Sequence, residues 1–303
     1  MMLFALYGKI SAMETIFEKA YAKLNISLDV SKPREDGYHD MIMVMQTVSL
    51  CDEITIELKD SGAVRAITDL RYIPGHDRNL AVKAANIYLK PAGREQLRAT
   101  NRIKKKIPVG AGMAGGSSDA AAVLRGLNTA FSGALDREAL MKCAEQTGSD
   151  VAFCLLVGTA LAEGRGEILT PLTPFPACTF VICKPEYSVS TPELFHALDR
   201  MKIRVHPDTA GILEAVEAGD VKRICRRMYN VFEDVPDRRM KTITDIKRKL
   251  MNAGSEGAVM TGTGSAVFGV FTDARAAEEA EKELRGEYPF ACTALPQETL
   301  LHA

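Results

Sequence analysis

The chain has 303 residues and a formal net charge of -1, from 38 Lys and Arg against 39 Asp and Glu. Its 47% hydrophobic and 25% charged residues are typical of a folded globular protein and exclude a disordered or fibrous chain. The balanced charge excludes a general attraction to nucleic acid or anionic membranes, and the length favours two domains. No apolar run approaches the roughly 20 residues that a membrane-spanning helix needs.

The N-terminus and the cysteines bear on where the protein works. Residues 1–12 do not fit an export signal, because Lys9 follows the short apolar stretch instead of preceding it. We therefore expect these residues to be an extension ahead of a start at Met13.

The seven cysteines have no CxxC spacing, which argues against a zinc site and predicts reduced thiols in a cytoplasmic protein.

The first half of the chain contains strand and helix patterns in turn. Alternating apolar residues predict strands over 17–30 and 43–59, joined by a turn-rich loop that contains Asp36 and Gly37. Helical spacing predicts helices over 78–90 and 117–131, the second of which is expected to be capped by Ser117 or Ser118. A further helix is predicted to begin at Asp136 and to end at Gly148.

Three prolines divide the chain. Pro171, Pro174 and Pro176 lie close together and predict a boundary between domains over 13–172 and 178–303, because proline interrupts helices and central strands. Beyond it we expect a strand over 179–184 and a helix that is capped by Thr191 and has Pro192 in its first position. Helices over 208–218, 220–229, 236–253 and 273–285 and strands over 257–261 and 265–271 complete an α+β protein.

The most informative stretch is a glycine-rich loop that leads into the 117–131 helix. Glycine permits positive φ values and lets backbone amides approach a ligand, and the first amides of a helix are unpaired at the positive end of its dipole. Phosphate is the natural ligand of such a loop, although a turn without a ligand is the alternative. The predicted nucleotide-binding residues are Pro108, Val109, Gly110, Ala111, Gly112, Met113, Ala114, Gly115, Gly116, Ser117 and Ser118.

Three common phosphate-binding motifs do not fit this loop. The preceding strand contains Lys104, Lys105 and Lys106 and is too charged for the buried strand of a dinucleotide-binding fold. A protein kinase places its GxGxxG pattern in a hairpin, whereas a helix follows here. A Walker A loop needs Gly-Lys followed by Ser or Thr, and the only Gly-Lys pair lies at residues 8–9.

The loop resembles the Pro-x-x-x-Gly-Leu-Gly-Ser-Ser signature of the GHMP kinases. The resemblance covers about residues 17–293, with one departure, since Ala114 stands where the family usually has glycine. The other segments that carry it are Ala22-Lys23-Leu24-Asn25, Asp36-Gly37-Tyr38-His39, Gly148-Ser149-Asp150-Val151 and Thr261-Gly262-Thr263-Gly264-Ser265.

The resemblance implies a fold, a reaction and cofactors. The fold is the α+β, two-domain GHMP kinase fold, with an N-terminal domain like ribosomal protein S5 domain 2 and a ferredoxin-like C-terminal domain. The reaction is the transfer of phosphate from ATP to the alcohol of a small molecule, with Mg²⁺ as the metal. The segments at 22–25 and 36–39 are typical of the branch of the family whose substrate carries a cytidine diphosphate group.

The resemblance also implies two catalytic residues. Asp150 is expected to accept the proton of the reacting hydroxyl, and Lys23 to offset the charge that develops beside it. The residues alone leave alternatives open. Asp150 precedes an apolar run and is also a candidate helix cap. Alternation places Lys23, Asn25 and Ser27 opposite the apolar face of their strand, where they could form a solvated polar face.

Binding roles follow from the same resemblance. Lys105 and Asn79 are expected on the ATP side, although a lysine run is also typical of a solvated strand edge. The hydroxyl of Ser118 is a candidate ligand of Mg²⁺. The implied substrate-binding residues are Asn25, Tyr38, His39, Tyr187, Gly262, Thr263 and Gly264.

Three alternative functions fit the residues less well. The acceptor substrates of a homoserine or mevalonate kinase of the same family have no base to stack, so Tyr38 and His39 argue against that alternative. A nucleotide-binding regulator without catalysis would not need both Lys23 and Asp150. RNA binding through the S5-like domain is disfavoured by the balanced charge and the absence of tryptophan.

Overall fold

The computed structural model describes residues 15–35 and 37–299. The predicted extension over 1–12, the start at Met13 and Asp36 of the first loop lie outside the described residues. The elements of the first half are β1 (Thr15–Pro33), β2 (His39–Lys59), β3 (Arg65–Thr68), α1 (Leu80–Leu89), β4 (Arg98–Lys104), α2 (Gly115–Ala130), α3 (Arg137–Thr147), α4 (Val151–Leu156), β5 (Thr159–Glu163) and β6 (Ile168–Pro171). Those of the second half are β7 (Thr179–Lys184), α5 (Thr191–Leu198), α6 (Thr209–Glu217), α7 (Val221–Cys225), β8 (Tyr229–Asn230), α8 (Met240–Asn252), β9 (Gly257–Met260), β10 (Val267–Phe271), α9 (Ala274–Glu287) and β11 (Phe290–Ala294).

Two long strands, β1 and β2, form the centre of the larger sheet. They pair antiparallel, with register shifts after Tyr21, Asn25 and Val30. The main strand order is β3-β4-β2-β1-β8. The strand β5 pairs with the first part of β2, and β6 pairs with β5. A register shift inserts an extra residue into one strand and changes which side chains share a face.

β1 is buried on both faces, so a solvated polar face is a wrong description of it. Lys23 is 4% exposed, and Asn25 and Ser27 are completely buried. The apolar side chains at positions 22, 24 and 26 belong to one core cluster. Leu28 belongs to the other, because the register shift after Asn25 reverses the alternation.

Helices α1 to α4 pack together over the larger sheet. α2 approaches the sheet so closely that a Cβ atom on Gly126 would lie 2.9 Å from the Cδ1 atom of Ile56. α3 begins after its N-cap Asp136 and ends at Gly148, as predicted. The apolar faces of these helices and of the sheet form the larger core cluster.

The smaller sheet is antiparallel and has the strand order β11-β7-β10-β9, with α8 and α9 packed against it. Main-chain bonds tie the second half of the chain to the larger sheet, since β8 pairs with β1 and Val48 forms a bridge with Pro296. The strand β6 ends at Pro171, and β7 of the smaller sheet begins at Thr179. The predicted domain limits stay a prediction. None of the described helices is long and apolar enough to cross a membrane.

Most predicted elements are present, with differences at their ends. α2 begins at Gly115 after Ala114, so Ser117 and Ser118 lie inside its first turn and the prediction of a serine cap is wrong. The cap of α5 is Ser190, one residue before Thr191, and α7 is shorter than the predicted helix over 220–229. Strands β3, β5, β6 and β11 have four or five residues, too few for alternation to reveal them.

Candidate active site

A pocket of about 890 Å³ lies where the two halves of the chain meet. Its walls come from β1, the start of β2, the glycine-rich loop, α5 and the turn between β9 and β10. Many predicted site residues line it together, which makes it the candidate active site. These residues are Lys23, Tyr38, His39, Asn79, Lys105, Pro108, Val109, Gly110, Ala111, Gly112, Met113, Ala114, Gly115, Gly116, Ser117, Asp150, Gly262, Thr263 and Gly264.

The glycine-rich loop leaves the start of α2 open to the pocket. Gly110, Gly112 and Ala114 have positive φ values of 64°, 74° and 56°. The first main-chain bond of α2 runs from the Ser118 amide to the Ala114 carbonyl, at 2.8 Å, so the amides before Ser118 have no partner inside the helix. No side chain caps this end. The arrangement suits an anion, which these amides and the helix dipole would stabilise.

Ala114 adopts the conformation for which the family usually uses glycine. Its φ of 56° and ψ of 29° lie in the left-handed region, which costs a residue with a Cβ atom about 1–2 kcal/mol. The bond that the Ala114 carbonyl accepts from the Ser118 amide holds it there. The alanine therefore holds a left-handed conformation with some backbone strain.

The two glycine motifs pack against each other, backbone to backbone. A Cβ atom on Gly112 would lie 2.2 Å from the Thr261 carbonyl oxygen, and one on Gly262 would lie 2.8 Å from the Gly112 carbonyl oxygen. The Thr261 hydroxyl donates to the Gly112 carbonyl at 3.2 Å, and the Ala266 amide donates to the Ala111 carbonyl at 3.2 Å. Glycine is needed at both contacts because no side chain fits between the loops.

Lys23 and Asp150 lie side by side, as the resemblance implies. The Lys23 Nζ atom is 3.9 Å from Asp150 Oδ2, and the lysine side chain is buried while that of Asp150 is 34% exposed. Asp150 precedes α4 in a right-handed helical conformation, and its side chain makes no capping bond. The helix-cap interpretation is therefore wrong, and the carboxylate is available to the pocket.

Asn25 lies behind the pocket wall, which corrects its expected contact with substrate. The residue is completely buried. Its Oδ1 atom accepts bonds from Lys23 Nζ at 2.6 Å and from the Gly262 amide at 3.0 Å, and its backbone amide donates to the Thr261 hydroxyl at 3.0 Å. Asn25 thus positions the lysine and the second glycine loop.

Lys105 lies under the start of α2 between two carboxylates. Its Nζ atom donates to Asp119 Oδ2 at 2.8 Å and also to Asp52, and all three side chains are at most 7% exposed. Burial raises the pKa of Asp119 to about 8, with Lys105 opposing the shift and the Asp52 charge adding to it. The ammonium is engaged within the protein, so Lys105 reaches the pocket wall without being a free cation for phosphate.

Three further predicted residues have structural roles in this structure. Asn79 caps α1 by accepting from the Ala81 amide at 2.9 Å, although it also lines the pocket. The Ser118 hydroxyl donates to the Tyr21 carbonyl at 2.6 Å and does not line the pocket, so it does not fit as a Mg²⁺ ligand. Tyr187 packs in the second half, its hydroxyl bonded to the Arg239 carbonyl at 2.7 Å, and it does not line the pocket either. Both expectations are corrected because the side chains are already used elsewhere.

The other end of the pocket is aromatic. Tyr38 is 54% exposed there, with the Arg165 guanidinium 5.1 Å from the centre of its ring. His39 is buried, not a solvent-facing partner of Tyr38, and its ring lies 4.9 Å from that of Phe195. His39 Nε2 is 2.7 Å from Asp199 Oδ1. Such a set of rings can hold a planar base.

Sequence reasoning did not identify several pocket residues. Arg165, Phe195 and Asp199 line the aromatic end, but nothing in their local sequence distinguishes them from ordinary turn or helix residues. They join the site only because α5 and the turn between β5 and β6 fold next to the start of β2. The sequence also did not reveal an apolar edge of the pocket that includes Tyr72, Ile73, Pro74 and Ile107.

The arrangement as a whole suits phosphoryl transfer to an alcohol. A partly exposed carboxylate next to a buried ammonium can orient a hydroxyl and accept its proton. An open helix start in the same pocket can hold the phosphates of a nucleotide. Phosphoryl transfer needs little more from a protein than positioning and electrostatic stabilisation.

Comparison with known proteins agrees with this chemistry. The GHMP kinases N terminal domain matches residues 79–158, and the GHMP kinases C terminal domain matches residues 212–289. A 4-diphosphocytidyl-2-C-methyl-D-erythritol kinase of Clostridium perfringens is 41% identical over 277 residues, which cover 90% of this chain and 94% of that one. The protein of the same name from Caldicellulosiruptor bescii is 42% identical over 267 residues, 88% of this chain and 93% of its own.

Solved structures show the same fold. A crystal structure of 4-(cytidine 5'-diphospho)-2C-methyl-D-erythritol kinase has a TM-score of 0.78 and 32% identity, covering 93% of this chain and 99% of its own. Homoserine kinase from Cytophaga hutchinsonii has a TM-score of 0.75 and 18% identity, covering 97% and 98% of the two chains. At that identity the second likeness concerns the fold alone.

Site, fold and relatives together define a phosphotransferase that acts with ATP on a small molecule. The chain belongs to the GHMP kinase family, and the predicted α+β GHMP kinase fold is confirmed.

Proposed function

We propose that the protein transfers the γ-phosphate of ATP to the 2-hydroxyl of 4-diphosphocytidyl-2-C-methyl-D-erythritol, giving the 2-phosphate and ADP. This reaction belongs to the non-mevalonate route to isoprenoid precursors. The observation that carries the proposal is a single pocket with the Lys23–Asp150 pair, the open start of α2 and the aromatic set around His39. The curated relatives of that name support the choice of substrate.

ATP is proposed to bind along the glycine-rich loop. The amides of Gly115, Gly116 and Ser117 are free of helical partners and line the pocket, so they are placed to bind the phosphates. The apolar edge formed by residues 72–74 and Ile107 offers a surface for the adenine ring.

The catalytic step is proposed to use Asp150 and Lys23. When the substrate hydroxyl attacks the γ-phosphorus, the bond from that phosphorus to the bridging oxygen of ADP breaks, and Asp150 accepts the hydroxyl proton. The Lys23 Nζ atom donates to Asn25 and lies next to Asp150, which holds it in place at the pocket wall. There it is proposed to offset the negative charge that develops at the transferring group.

Mg²⁺ is proposed to bind mainly through the phosphates of ATP. Within residues 15–35 and 37–299, no group of three or more His, Cys, Asp or Glu side chains is placed to hold a metal. Mg²⁺ commonly keeps several waters and takes few protein ligands, and the Ser117 hydroxyl is an oxygen donor on the pocket wall. When bound, the ion neutralises charge on the phosphates.

The cytosine of the substrate is proposed to bind at the aromatic end. Tyr38 and Phe195 provide ring faces, and His39 provides a hydrogen-bonding group beside them. The turn at Gly262, Thr263 and Gly264 lines the same pocket and is proposed to lie against the diphosphate of the substrate, with the Thr263 amide as the donor, because the Gly262 and Gly264 amides are bonded to Asn25 and Thr261. We also propose domains over 13–172 and 178–303, and a cytoplasmic location, which suits seven free thiols.

A coupled assay of ADP release tests this function. The full-length protein is given ATP, Mg²⁺ and one of three acceptors: the cytidyl substrate, homoserine or mevalonate. We expect turnover with the cytidyl substrate alone, because the other two have no base for the aromatic end. Turnover with homoserine or mevalonate instead would assign the protein to another branch of the GHMP kinases, and phosphorylation at a hydroxyl other than the 2-hydroxyl would contradict the proposed geometry.

A further inference from the structure

The carboxylate of Asp199 joins two distant parts of the chain at the aromatic end of the pocket. Asp199 follows the last residue of α5, and His39 is the first residue of β2, 160 positions earlier. The Asp199 Oδ1 atom lies 2.7 Å from His39 Nε2. The side chain of Asp199 is 32% exposed and that of His39 only 7%, so the bond lies at the pocket wall.

The His39 ring has little freedom to turn. It packs against Phe195 at a centroid distance of 4.9 Å, and Phe195 packs edge-on against Phe232 at the same distance. A ring fixed by packing on one side and by a carboxylate on the other presents its second nitrogen in one direction. This makes His39 a rigid hydrogen-bonding group rather than an adaptable one.

The carboxylate decides which ring nitrogen of a neutral His39 carries the proton. An ionised carboxylate only accepts hydrogen bonds, so Nε2 must be the protonated nitrogen and Nδ1 must hold a lone pair. Nδ1 has no hydrogen-bond partner among the described residues. It is also not among the fully buried side-chain atoms that lack a partner, so it is accessible from outside the core. An acceptor is therefore open at the pocket wall.

An acceptor at this place distinguishes between pyrimidines. On the base-pairing edge of cytosine, the exocyclic N4 amino group is the only donor, because O2 and N3 are acceptors. A cytosine held against Nδ1 must therefore donate from N4. Uracil in the same orientation places its O4 carbonyl there, so that two acceptors meet and both stay unpaired, which is costly in a desolvated pocket.

We propose that Asp199 is a positioning residue that selects cytosine over uracil by holding His39 in the tautomer whose Nδ1 atom accepts a hydrogen bond. This inference rests on the proposed function, since it takes the aromatic end as the cytosine site. It names a specificity determinant that lies outside the glycine motifs and the catalytic pair.

Calorimetry with CDP and UDP tests the inference on the full-length protein at pH 8.5, where an ordinary imidazole is neutral. We expect the wild-type protein to bind CDP on the order of 10–100-fold more tightly than UDP. This range is typical when a buried polar group is hydrogen-bonded in one complex and left without a partner in the other. Asp199→Asn keeps the shape but allows either tautomer, because its amide donates as well as accepts. We expect its preference for CDP to fall to about threefold or less, mainly through tighter binding of UDP.

Two further measurements separate specificity from a structural role. Glu193→Gln removes a negative charge from the exposed side of the same helix and should leave the CDP/UDP ratio unchanged. Nitrogen-15 spectra of the histidines should show His39 as the Nε2–H tautomer in the wild-type protein and a mixture in Asp199→Asn, with equal melting temperatures.

The outcomes distinguish this inference from the proposed function. A wild-type protein that binds CDP and UDP equally but phosphorylates the cytidyl substrate would overturn this inference alone, whereas a protein that binds ATP but neither CDP nor UDP would contradict the proposed function as well. A wild-type protein that prefers CDP, together with an Asp199→Asn variant that has the same CDP/UDP ratio, would overturn the role of Asp199 alone. Equal weakening of CDP and UDP in Asp199→Asn would also reject it and would make Asp199 a purely structural residue.

Discussion

Lys23 illustrates how a charged residue is used when its strand is buried on both faces. A buried ammonium is unfavourable unless it has hydrogen-bond acceptors and an opposite charge. Asn25 provides an acceptor at 2.6 Å, and Asp150 provides the charge at 3.9 Å. Because Asn25 also binds the Gly262 amide, one side chain fixes both Lys23 and the loop opposite it.

Replacing Asp150 should slow the chemical step without unfolding the protein. A general base contributes roughly 10²–10⁴-fold, so Asp150→Asn is expected to lower kcat by that factor, about 3–5 kcal/mol of barrier, with smaller effects on both KM values. The Asp150 side chain caps no helix and is partly exposed, so the melting temperature should change little. Lys23→Met combined with Asp150→Asn should be hardly slower than the slower single variant, because the two residues act together.

Asp136 provides the matched control for this prediction. Its side chain caps α3 through the Ala139 amide at 2.9 Å and does not line the pocket. Asp136→Ala should therefore show the opposite pattern, a loss of about 1 kcal/mol of stability with normal kcat. An Asp150→Asn protein with normal turnover and a lowered melting temperature would show that the base lies elsewhere.

At the level of one element, the start of α2 combines an anion site with a buried excess of negative charge. Lys105 faces both Asp52 and Asp119, and one ammonium cannot neutralise two carboxylates. The Oδ1 atom of Asp119 has no hydrogen-bond partner among the described residues. Burial is the largest cause that raises the pKa of Asp119 to about 8, Lys105 opposes the shift, and the charge of Asp52 adds to it.

This buried acid should make stability depend on pH. Between the unfolded pKa of about 3.9 and the folded value of about 8, the native state holds a proton that the unfolded state has lost. Stability therefore decreases as pH rises through this range. We expect the free energy of unfolding in urea to fall by about 2 kcal/mol from pH 6 to pH 8. Asp119→Asn should remove most of that slope.

The control for this prediction is Glu138→Gln, an exposed residue of α3 paired with Lys142. It should leave the slope between pH 6 and pH 8 unchanged, since an exposed pair contributes little. A wild-type protein whose stability does not change over this interval would contradict the raised pKa of Asp119.

At the level of the whole molecule, buried polar side chains connect the two sheets behind the pocket. Asn230 of β8 is completely buried and donates to the carbonyls of Met260 at 2.7 Å and Gly262 at 2.8 Å. Its own carbonyl accepts from the Phe232 amide at 3.0 Å. Asn230 therefore links β8 of the larger sheet to the end of β9 in the smaller sheet and to the turn that follows it.

Removing this link should destabilise the protein as a unit. Asn230→Ala leaves two carbonyls and one amide buried without their partner, and we expect a loss of about 2–4 kcal/mol in urea unfolding. The exposed Asn252 at the end of α8 is the control, and Asn252→Ala should change stability by less than about 0.5 kcal/mol. A change of similar size in both variants would argue against Asn230 as a connection between the sheets.

Much of the fold and of the site could be predicted from local sequence. Strands such as β1 and helices such as α3 follow from apolar periodicity and from caps such as Asp136, because these signals depend on neighbours within a few residues. The glycine-rich loop was evident for the same reason, since small residues before a helix start predict an anion site. Lys23 and Asp150 came from their motifs, and the structure places them together.

Other features depended on residues far apart in the chain, where local patterns hold no information. Asn25 meets Gly262 across 237 positions, and His39 meets Asp199 across 160. Competition for partners then decided the roles of individual side chains. The ammonium of Lys105 and the hydroxyls of Ser118 and Tyr187 are engaged inside the protein, because a buried polar group must find a bond wherever the fold offers one.

The sequence by itself thus determined most of the elements, the glycine-rich loop and the family, since each rests on residue types at short spacing. Only the tertiary structure decided which side chains face the pocket and which lie behind it. The physical reason is that burial, register shifts such as that after Asn25 and hydrogen-bond satisfaction are properties of the packed molecule, and they assign a side chain its surroundings only when distant elements meet.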